Sequence, residues 1–446
     1  MKEHIYFLGI GGIGMSALAR YHLHIGNKVS GYDRYRSSLC KSLEDEGMHI
    51  HYEDRSADLP QDLDRVVYTP AIPANLGEFQ ILEKSSTPMS KRAKELGHIS
   101  NKGISMAVAG THGKTSISCI LAHLMAQSSF DCQAFLGGIS KNFKSNVHFS
   151  SSKHYVLEAD EYDRSFLQLE PNFLLISSID ADHLDIYGSS EEIQKGFSVL
   201  TQRLRPGGHL LLNEKIDPQL LTESKHFSYG LEDADFSAEN IALTDGDFVF
   251  DLKHPEGKIE HLKFSYPGRH NLENAVGACA MALLAGVSGN EIREALGSFK
   301  GIERRFDLQL ATDSCVYIDD YAHHPTEIET SLRSIRELYP NRKMEVLFQP
   351  HLYSRTRDFA TEFGKALSEA DAVFITDIYP AREAPLEGIS SQLILEKVSA
   401  SQKKLVDKDE FLEYLKSAQP ELLVSMGAGD VSEWVEPITN CLQELD

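Results

Sequence analysis

Val108-Ala109-Gly110-Thr111-His112-Gly113-Lys114-Thr115 decides how this chain is read. An apolar run enters a turn bracketed by two glycines, and Lys and Thr then open a helix. That is the strand–turn–helix order of a phosphate loop. Glycines let backbone N–H groups close on phosphate oxygens, and the helix N-terminus offers partial positive charge. In such a loop Lys114 neutralises β- and γ-phosphates, while Thr115 places its hydroxyl on Mg2+. Full Walker spacing wants glycine at 108, where this chain has Val. The loop is a shortened form, Gly110-x-x-Gly113-Lys114-Thr115.

Around this loop, strand and helix patterns alternate in three consecutive segments. The expected fold class is α/β: a Rossmann-like N-terminal domain, a central P-loop ATPase domain with added antiparallel strands, and a Rossmann-like C-terminal domain. The first segment opens with a buried strand from His4, a glycine turn and a helix to about Ile25, with further strands at 27–32 and Arg65–Tyr68. The polar stretch 97–103 reads as a linker. The second segment predicts strands at 104–109, 132–136, 154–159, 173–179 and 209–212, then short antiparallel strands between 225 and 266. Helices are expected near 271–285 and 289–299. The third predicts strands at 315–318, 344–348, 372–376 and 422–426. The domain bounds drawn from this pattern are 1–99, 100–304 and 305–446.

Composition narrows the class. The 446 residues carry 66 acidic against 44 basic side chains, a net charge of −22. So acidic a chain is a poor partner for nucleic acid or an anionic membrane. Any phosphate must be held by local loops and placed cations. Six cysteines without a Cys-x-x-Cys pair argue against a zinc ribbon or a disulfide framework and suit a reducing cytoplasm. The N-terminal apolar stretch reads as strand and turn rather than a signal peptide. No run reaches the ~20 apolar residues of a membrane span.

Other clusters carry chemistry. Gly9-x-Gly11-x-x-Gly14, with Asp33 closing the next strand, fits three things: a nicotinamide dinucleotide, the diphosphate of another nucleotide, or tight helix–strand packing. A nicotinamide-dependent oxidoreductase leaves the loop at 110–115 unexplained. Glu158-Ala159-Asp160-Glu161-Tyr162-Asp163 runs off a strand into four acids, and Glu158 at the strand end is the best-placed Mg2+ ligand. His183, in Asp182-His183-Leu184-Asp185, fits a second metal ligand, a phosphate-orienting group or a buried structural His. Asn271 and Asn274 can read an adenine edge or cap a helix. Arg304-Arg305 can clamp a phosphate or form a structural ion pair. Asp319-Asp320-Tyr321-Ala322-His323-His324-Pro325 and Gln349–Arg357 sit at strand ends, where open α/β sheets place ligands. Arg355 there can grip a carboxylate.

With these blocks in order, the chain resembles the Mur ligases along essentially its whole length. The resemblance rests on Gly9–Ser16, Gly110–Thr115, Glu158–Asp163, Asp182–Asp185, Gly268–Asn274, Asp319–Pro325 and Phe348–Arg357. It implies an ATP- and Mg2+-dependent cytoplasmic ligase of peptidoglycan precursor synthesis. On the alanine-adding branch this enzyme joins L-alanine to the lactyl carboxylate of UDP-N-acetylmuramate through an acyl phosphate. The near neighbour adds a preformed tripeptide to the same nucleotide in murein recycling. The resemblance assigns Gly11, Gly12, Ile13, Gly14 and Met15 to the UDP diphosphate, with Asp33 near the nucleoside. It assigns Gly110, Thr111, His112, Gly113, Lys114 and Thr115 to ATP, with Asn271 and Asn274 on adenine, Arg305 on phosphate and Asp319 on ribose. Thr115, Glu158 and His183 hold the metal. Tyr321, His323 and Arg355 frame the amino acid, and His323 is the candidate base. Two positions differ within the family: Leu352 stands where many alanine-adding members carry Arg, and Ser198 where later-acting members carry a carbamylated Lys. No carbamate is expected, and a monomer or weak homodimer is.

Overall fold

The computed structural model describes residues 2–57, 59–180, 189–244, 246–381 and 383–445. They divide into two compact units, Met1–Ser265 with Glu273–Lys300, and Tyr266–Leu272 with Gly301–Asp446.

The first unit holds two sheets. In one, β1 (His4–Leu8), β2 (Lys28–Tyr32), β3 (His49–His51), β4 (Arg65–Tyr68) and β5 (Met89–Lys91) lie parallel in the order β3-β2-β1-β4-β5. Every residue of β1 is buried, because alternate side chains enter different cores: Ile5 and Phe7 one, Tyr6 and Leu8 the other. That is the pattern of a strand covered on both faces. Helices α1 (Ile13–His24), α2 (Ser38–Asp45), α3 (Gly77–Lys84) and α4 (Arg92–Ser100) accompany it. Helix α4 runs through most of the expected linker at 97–103. Gly97 belongs to the helix because a Cβ there would fall 2.4 Å from the Gln168 carbonyl oxygen, so its missing side chain serves close packing.

The other sheet has ten strands: β6 (Ile104–Ala109), β7 (Gln133–Ser140), β8 (Ser145–His148), β9 (His154–Glu158), β10 (Phe173–Ile176), β11 (His209–Asn213), β12 (Phe227–Gly230), β13 (Phe236–Thr244), β14 (Asp247–His254) and β15 (Gly257–Phe264). Their order is β15-β14-β13-β12-β11-β10-β6-β9-β7-β8. The added strands β13, β14 and β15 pair antiparallel as expected, whereas β12 is parallel to both neighbours. Helices α5 (Lys114–Ala126), α6 (Ser190–Thr201), α7 (Arg269–Leu284) and α8 (Gly289–Leu296) belong to this region, the first turn of α7 falling to the second unit.

A polar seam joins the two sheets. Asn146 of β8 is fully buried, donating to the Ile13 carbonyl at 2.6 Å and to Ser16 Oγ at 3.0 Å, and accepting from Arg20 at 2.5 Å. Tyr21 of α1 packs its ring on Phe135 and Phe149 beside this seam.

The second unit carries β16 (Asp307–Ala311), β17 (Val316–Asp320), β18 (Met344–Phe348), β19 (Ala372–Ile375), β20 (Gln402–Leu405) and β21 (Leu422–Met426), in the order β16-β17-β21-β18-β19-β20. Only the edge strand β16 is antiparallel to its neighbour. Helices α9 (Pro325–Leu338), α10 (Tyr353–Leu367), α11 (Gln392–Leu395), α12 (Lys408–Ala418) and α13 (Val435–Leu445) complete it. Strand β17 extends two residues beyond the expected 315–318, which draws Asp319 and Asp320 into the sheet. Among the described residues no helix is long and apolar enough to cross a membrane.

Candidate active site

The loop after β6 turns at Gly110 (φ +132°) and Gly113 (φ +81°) before α5 begins at Lys114. A Cβ at Gly110 would meet Ser177 Oγ at 2.1 Å, and one at Gly113 would meet Asn274 Oδ1 at 2.8 Å. Ser177 and Ser178, just past β10, brace the turn. Thr111 N–H donates to the Ser178 carbonyl at 3.1 Å, and His112 N–H donates to Ser178 Oγ at 2.8 Å. These two bonds fix the path of the loop through Thr111 and His112. The opening turn of α5 supplies the amides that helix geometry leaves for an anion. Thr115 is buried in that turn, and Asn274 of α7 lies against Gly113.

Lys114 Nζ donates to the Gly110 carbonyl at 2.6 Å and to Glu161 Oε1 at 2.9 Å. Burial alone would lower the affinity of this amine for its proton. Attraction from Glu161, Asp160 and Glu158 outweighs that, so the ammonium is held charged well beyond its ordinary range. Glu158 ends β9 and accepts from Gly137 N–H at 3.1 Å. A Cβ at Gly137 would fall 2.2 Å from the Glu158 carboxylate, so this glycine makes room for the acid. The donor set fits a hard cation: a carboxylate and the Thr115 hydroxyl, on a loop built for phosphate. Among the described residues no trio of His, Cys, Asp or Glu is grouped to hold a metal. His183, with Asp182 and Asp185, lies outside the described residues.

In the first sheet the glycine turn is held by its own hydrogen bonds. Gly11 N–H donates to Asp33 Oδ2 at 2.8 Å, and Gly12 N–H to the Gly9 carbonyl at 3.3 Å. Asp33 thus builds the turn from below, and the amides of Ile13, Gly14 and Met15, in the first turn of α1, are the ones aimed outward. A cavity of about 550 Å3 opens beside this sheet, lined among others by Tyr6, Arg36, His51 and Arg55.

The second unit gathers the remaining candidates. Arg304 and Arg305 stack over the Tyr321 ring at 5.3 and 4.6 Å. Asp319 is completely buried, with one oxygen on Arg304 Nε at 3.2 Å and the other on Ser425 Oγ at 2.6 Å. Each of these oxygens keeps a second lone pair, so the two contacts fix the carboxylate's orientation at the end of β17. Desolvation raises the proton affinity of Asp319 against Arg304, and pushes Asp320 up to about 6 against Ser331 and Arg305. His323 Nδ1 lies 3.0 Å from the Tyr321 carbonyl and 3.3 Å from Glu327. That places the proton on Nδ1 and the lone pair on Nε2. Arg355 is buried in the first turn of α10, a helix preceded by Leu352, whose φ of +73° is strained for a side-chain-bearing residue. Asn271 is buried, and its Nδ2 donates to the Pro267 carbonyl at 2.7 Å.

Three family models tile the chain: Mur ligase family, catalytic domain, at residues 4–103; Mur ligase middle domain at 108–282; and Mur ligase, glutamate ligase domain, at 304–429. The chain belongs to the Mur ligase family. A protein of Christiangramia forsetii named UDP-N-acetylmuramate–L-alanine ligase is 47% identical over 447 residues, covering 99% of this chain and 98% of the relative. The same-named protein of Flavobacterium johnsoniae is 46% identical, with 99% and 98% covered. Among solved structures, the UDP-N-acetylmuramate-alanine ligase of Thermotoga maritima superposes with a TM-score of 0.85 at 25% identity, covering 99% of this chain and 100% of that one. A murein peptide ligase from Psychrobacter arcticus shares the fold at a TM-score of 0.72 and 20% identity, over 99% and 98% of the two chains. The three consecutive α/β regions are thus those of a Mur ligase.

Sequence reasoning passed over Glu161 in favour of Glu158 and did not single out Arg92, Ser177 or Ser178. A buried partner for Lys114 could have been sought among the three acids after β9. The serines stand immediately after an apolar strand, where loops of a parallel sheet meet ligands.

Proposed function

We propose that this chain is an ATP-dependent ligase joining L-alanine to the lactyl carboxylate of UDP-N-acetylmuramate, in cytoplasmic synthesis of peptidoglycan precursors. The observation that carries it is 47% identity, end to end, with a relative named for that reaction. The tripeptide-adding alternative is disfavoured because its structural relative matches less well than the alanine ligase, at a TM-score of 0.72 against 0.85. A nicotinamide oxidoreductase leaves Lys114 and its loop without a task.

A carboxylate resists nucleophilic attack because its charge is delocalised. Transfer of the γ-phosphoryl group to the lactyl carboxylate creates an acyl phosphate, and positioning with charge neutralisation governs such a step. The amides of Ile13, Gly14 and Met15 would seat the UDP diphosphate. Lys114 would leave Glu161 to meet the β- and γ-phosphates, with the α5 amides beneath them and Asn274 on the adenosine side. Thr115, Glu158 and His183 would hold Mg2+, which when bound supplies charge neutralisation on the phosphates. Alanine's amine then attacks the acyl carbon and phosphate departs. Free alanine's amine sits beside its own carboxylate and holds its proton more tightly than a peptide α-amine of pKa near 8, so it must shed a proton before it attacks. His323 Nε2 would accept the proton, Arg355 and Tyr321 would frame the alanine, and Arg305 would contact a phosphate.

ADP release with UDP-N-acetylmuramate, comparing L-alanine, glycine, L-serine and the recycling tripeptide, tests this reading. L-alanine should give the highest kcat/KM; preference for the tripeptide, or no ADP with any acceptor, would reject it. Lys114→Ala should abolish ADP formation and leave nucleotide-sugar binding nearly intact.

A further inference from the structure

Arg92 opens α4, directly after β5, and its side chain faces two loops at once. One terminal nitrogen, NH1, lies 2.5 Å from where a Cβ on Gly14 would stand, so the guanidinium rests on the outward-facing turn of α1. The other, NH2, donates to Asp160 Oδ2 at 3.0 Å. Asp160 in turn accepts from Tyr162 N–H at 3.0 Å through Oδ1, and it sits between Glu158 and Glu161. The Arg92 side chain is 20% exposed and that of Asp160 34%, so the pair is partly shielded from solvent. All of these residues belong to the first unit.

We infer that Arg92 is a positioning residue for phosphoryl transfer, a brace that sets the Glu158–Glu161 segment in register with the nucleotide-sugar turn. A guanidinium offers five N–H donors in a fixed fork, so it can keep Asp160 while remaining available to an anion seated over Gly14. Without it, one carboxylate of the acidic segment loses its counter-charge, and Glu158 and Glu161 lose a fixed neighbour. Catalysis by positioning is sensitive to this, since displacement by about 1 Å can cost ~100-fold. The inference rests on the proposed roles of the α1 turn and of Lys114.

The test is steady-state kinetics of the full chain with each substrate varied. Arg92→Ala should lower kcat by roughly 10- to 100-fold and raise KM for UDP-N-acetylmuramate, with KM for L-alanine unchanged. Arg92→Lys should recover part of the loss. Gly14→Ala, whose new Cβ can be accommodated only by pushing the guanidinium aside, should reproduce it. Asp160→Asn should lower kcat similarly, and the Arg92→Ala/Asp160→Asn double variant should be no worse than the poorer single one. A lowered melting temperature with kcat and every KM within about twofold of the parent, or losses that multiply in the double variant, would overturn the inference. Should Arg92→Ala fail to fold, Arg92→Lys and Gly14→Ala decide the matter by the same criteria. Lys114→Ala separates the levels: turnover surviving in that variant rejects the underlying reading, whereas its loss beside a normal Arg92→Ala rejects the brace alone.

Discussion

Glu161 Oε2 lies 2.8 Å from Lys114 Nζ, and the side chain of the acid is only 2% exposed. The ammonium that triphosphate chemistry needs is thus already committed to a carboxylate, and a nucleotide must exchange one anionic partner for another.

Glu161→Gln should therefore lower stability by about 3 kcal/mol, because removing one member of a buried pair strands the other. Saturating Mg-ATP offers Lys114 a replacement partner, so the deficit should shrink in its presence. Urea unfolding with and without nucleotide measures both effects. A deficit that ATP leaves untouched would mean that the phosphates never reach this lysine.

Gly137→Ala should disable the metal position without disturbing the sheet. Its Cβ would enter the space held by the Glu158 carboxylate, which must then swing away. We expect kcat to fall by at least ~10-fold and the Mg2+ concentration for half-maximal rate to rise, as for loss of a positioned ligand or its support. Unchanged Mg2+ dependence would remove Glu158 from the metal's ligands.

The second unit contains two titrating groups with opposed effects. Burial holds the Asp320 acid at about 6, above the ~3.9 of an unfolded chain. The folded state therefore binds this proton more tightly, and stability falls as pH rises from about 4 to 6, by about 3 kcal/mol. Burial lowers His270 to about 4, below the ~6.5 of an unfolded chain, so stability falls as pH drops through that window. Across the shared interval the slopes nearly cancel. Asp320→Asn should give an unfolding midpoint that climbs from pH 4 to 6.5, and His270→Gln one that declines from pH 4 to 6. Parallel profiles in the two variants would contradict the assignment.

Asn146→Ala removes three hydrogen bonds at the seam between β8 and α1. It leaves the Arg20 guanidinium and the Ile13 carbonyl short of a partner, at a cost of about 2 kcal/mol. Because Ile13 opens the turn proposed for the diphosphate, affinity for UDP-N-acetylmuramate should weaken too. Calorimetric titration checks it: full affinity in a destabilised protein would confine the seam to folding.

Much of the fold was legible because buried parallel strands announce themselves as apolar runs. Arg65–Tyr68, Ile104–Ala109, Met344–Phe348 and Leu422–Met426 were read at their observed bounds. The strands that escaped notice lie at edges: β3, β5, β8, β16, and β20, whose residues Gln402–Leu405 are all exposed and carry no alternation. The phosphate loop was legible from glycine spacing, since only particular backbone angles close such a turn. Its partners were not. Lys114 with Glu161, Arg92 with Asp160 and Asn146 with Arg20 join residues 47, 68 and 126 positions apart, and periodicity holds no information about pairs so distant. The same limit hid the local partners of Asp33 and Asp319: each sits at a strand end where ligands gather, and each also accepts from the protein's own donors, Gly11 N–H and Ser425 Oγ.

The seam built on Asn146 also bears on inhibitor chemistry. Because α1 is fastened to the neighbouring sheet by a desolvated carboxamide, the turn proposed for the diphosphate is anchored to the sheet that carries the loop proposed for ATP. A stiff two-headed compound matched to both turns would gain over flexible tethers by the entropy it does not lose.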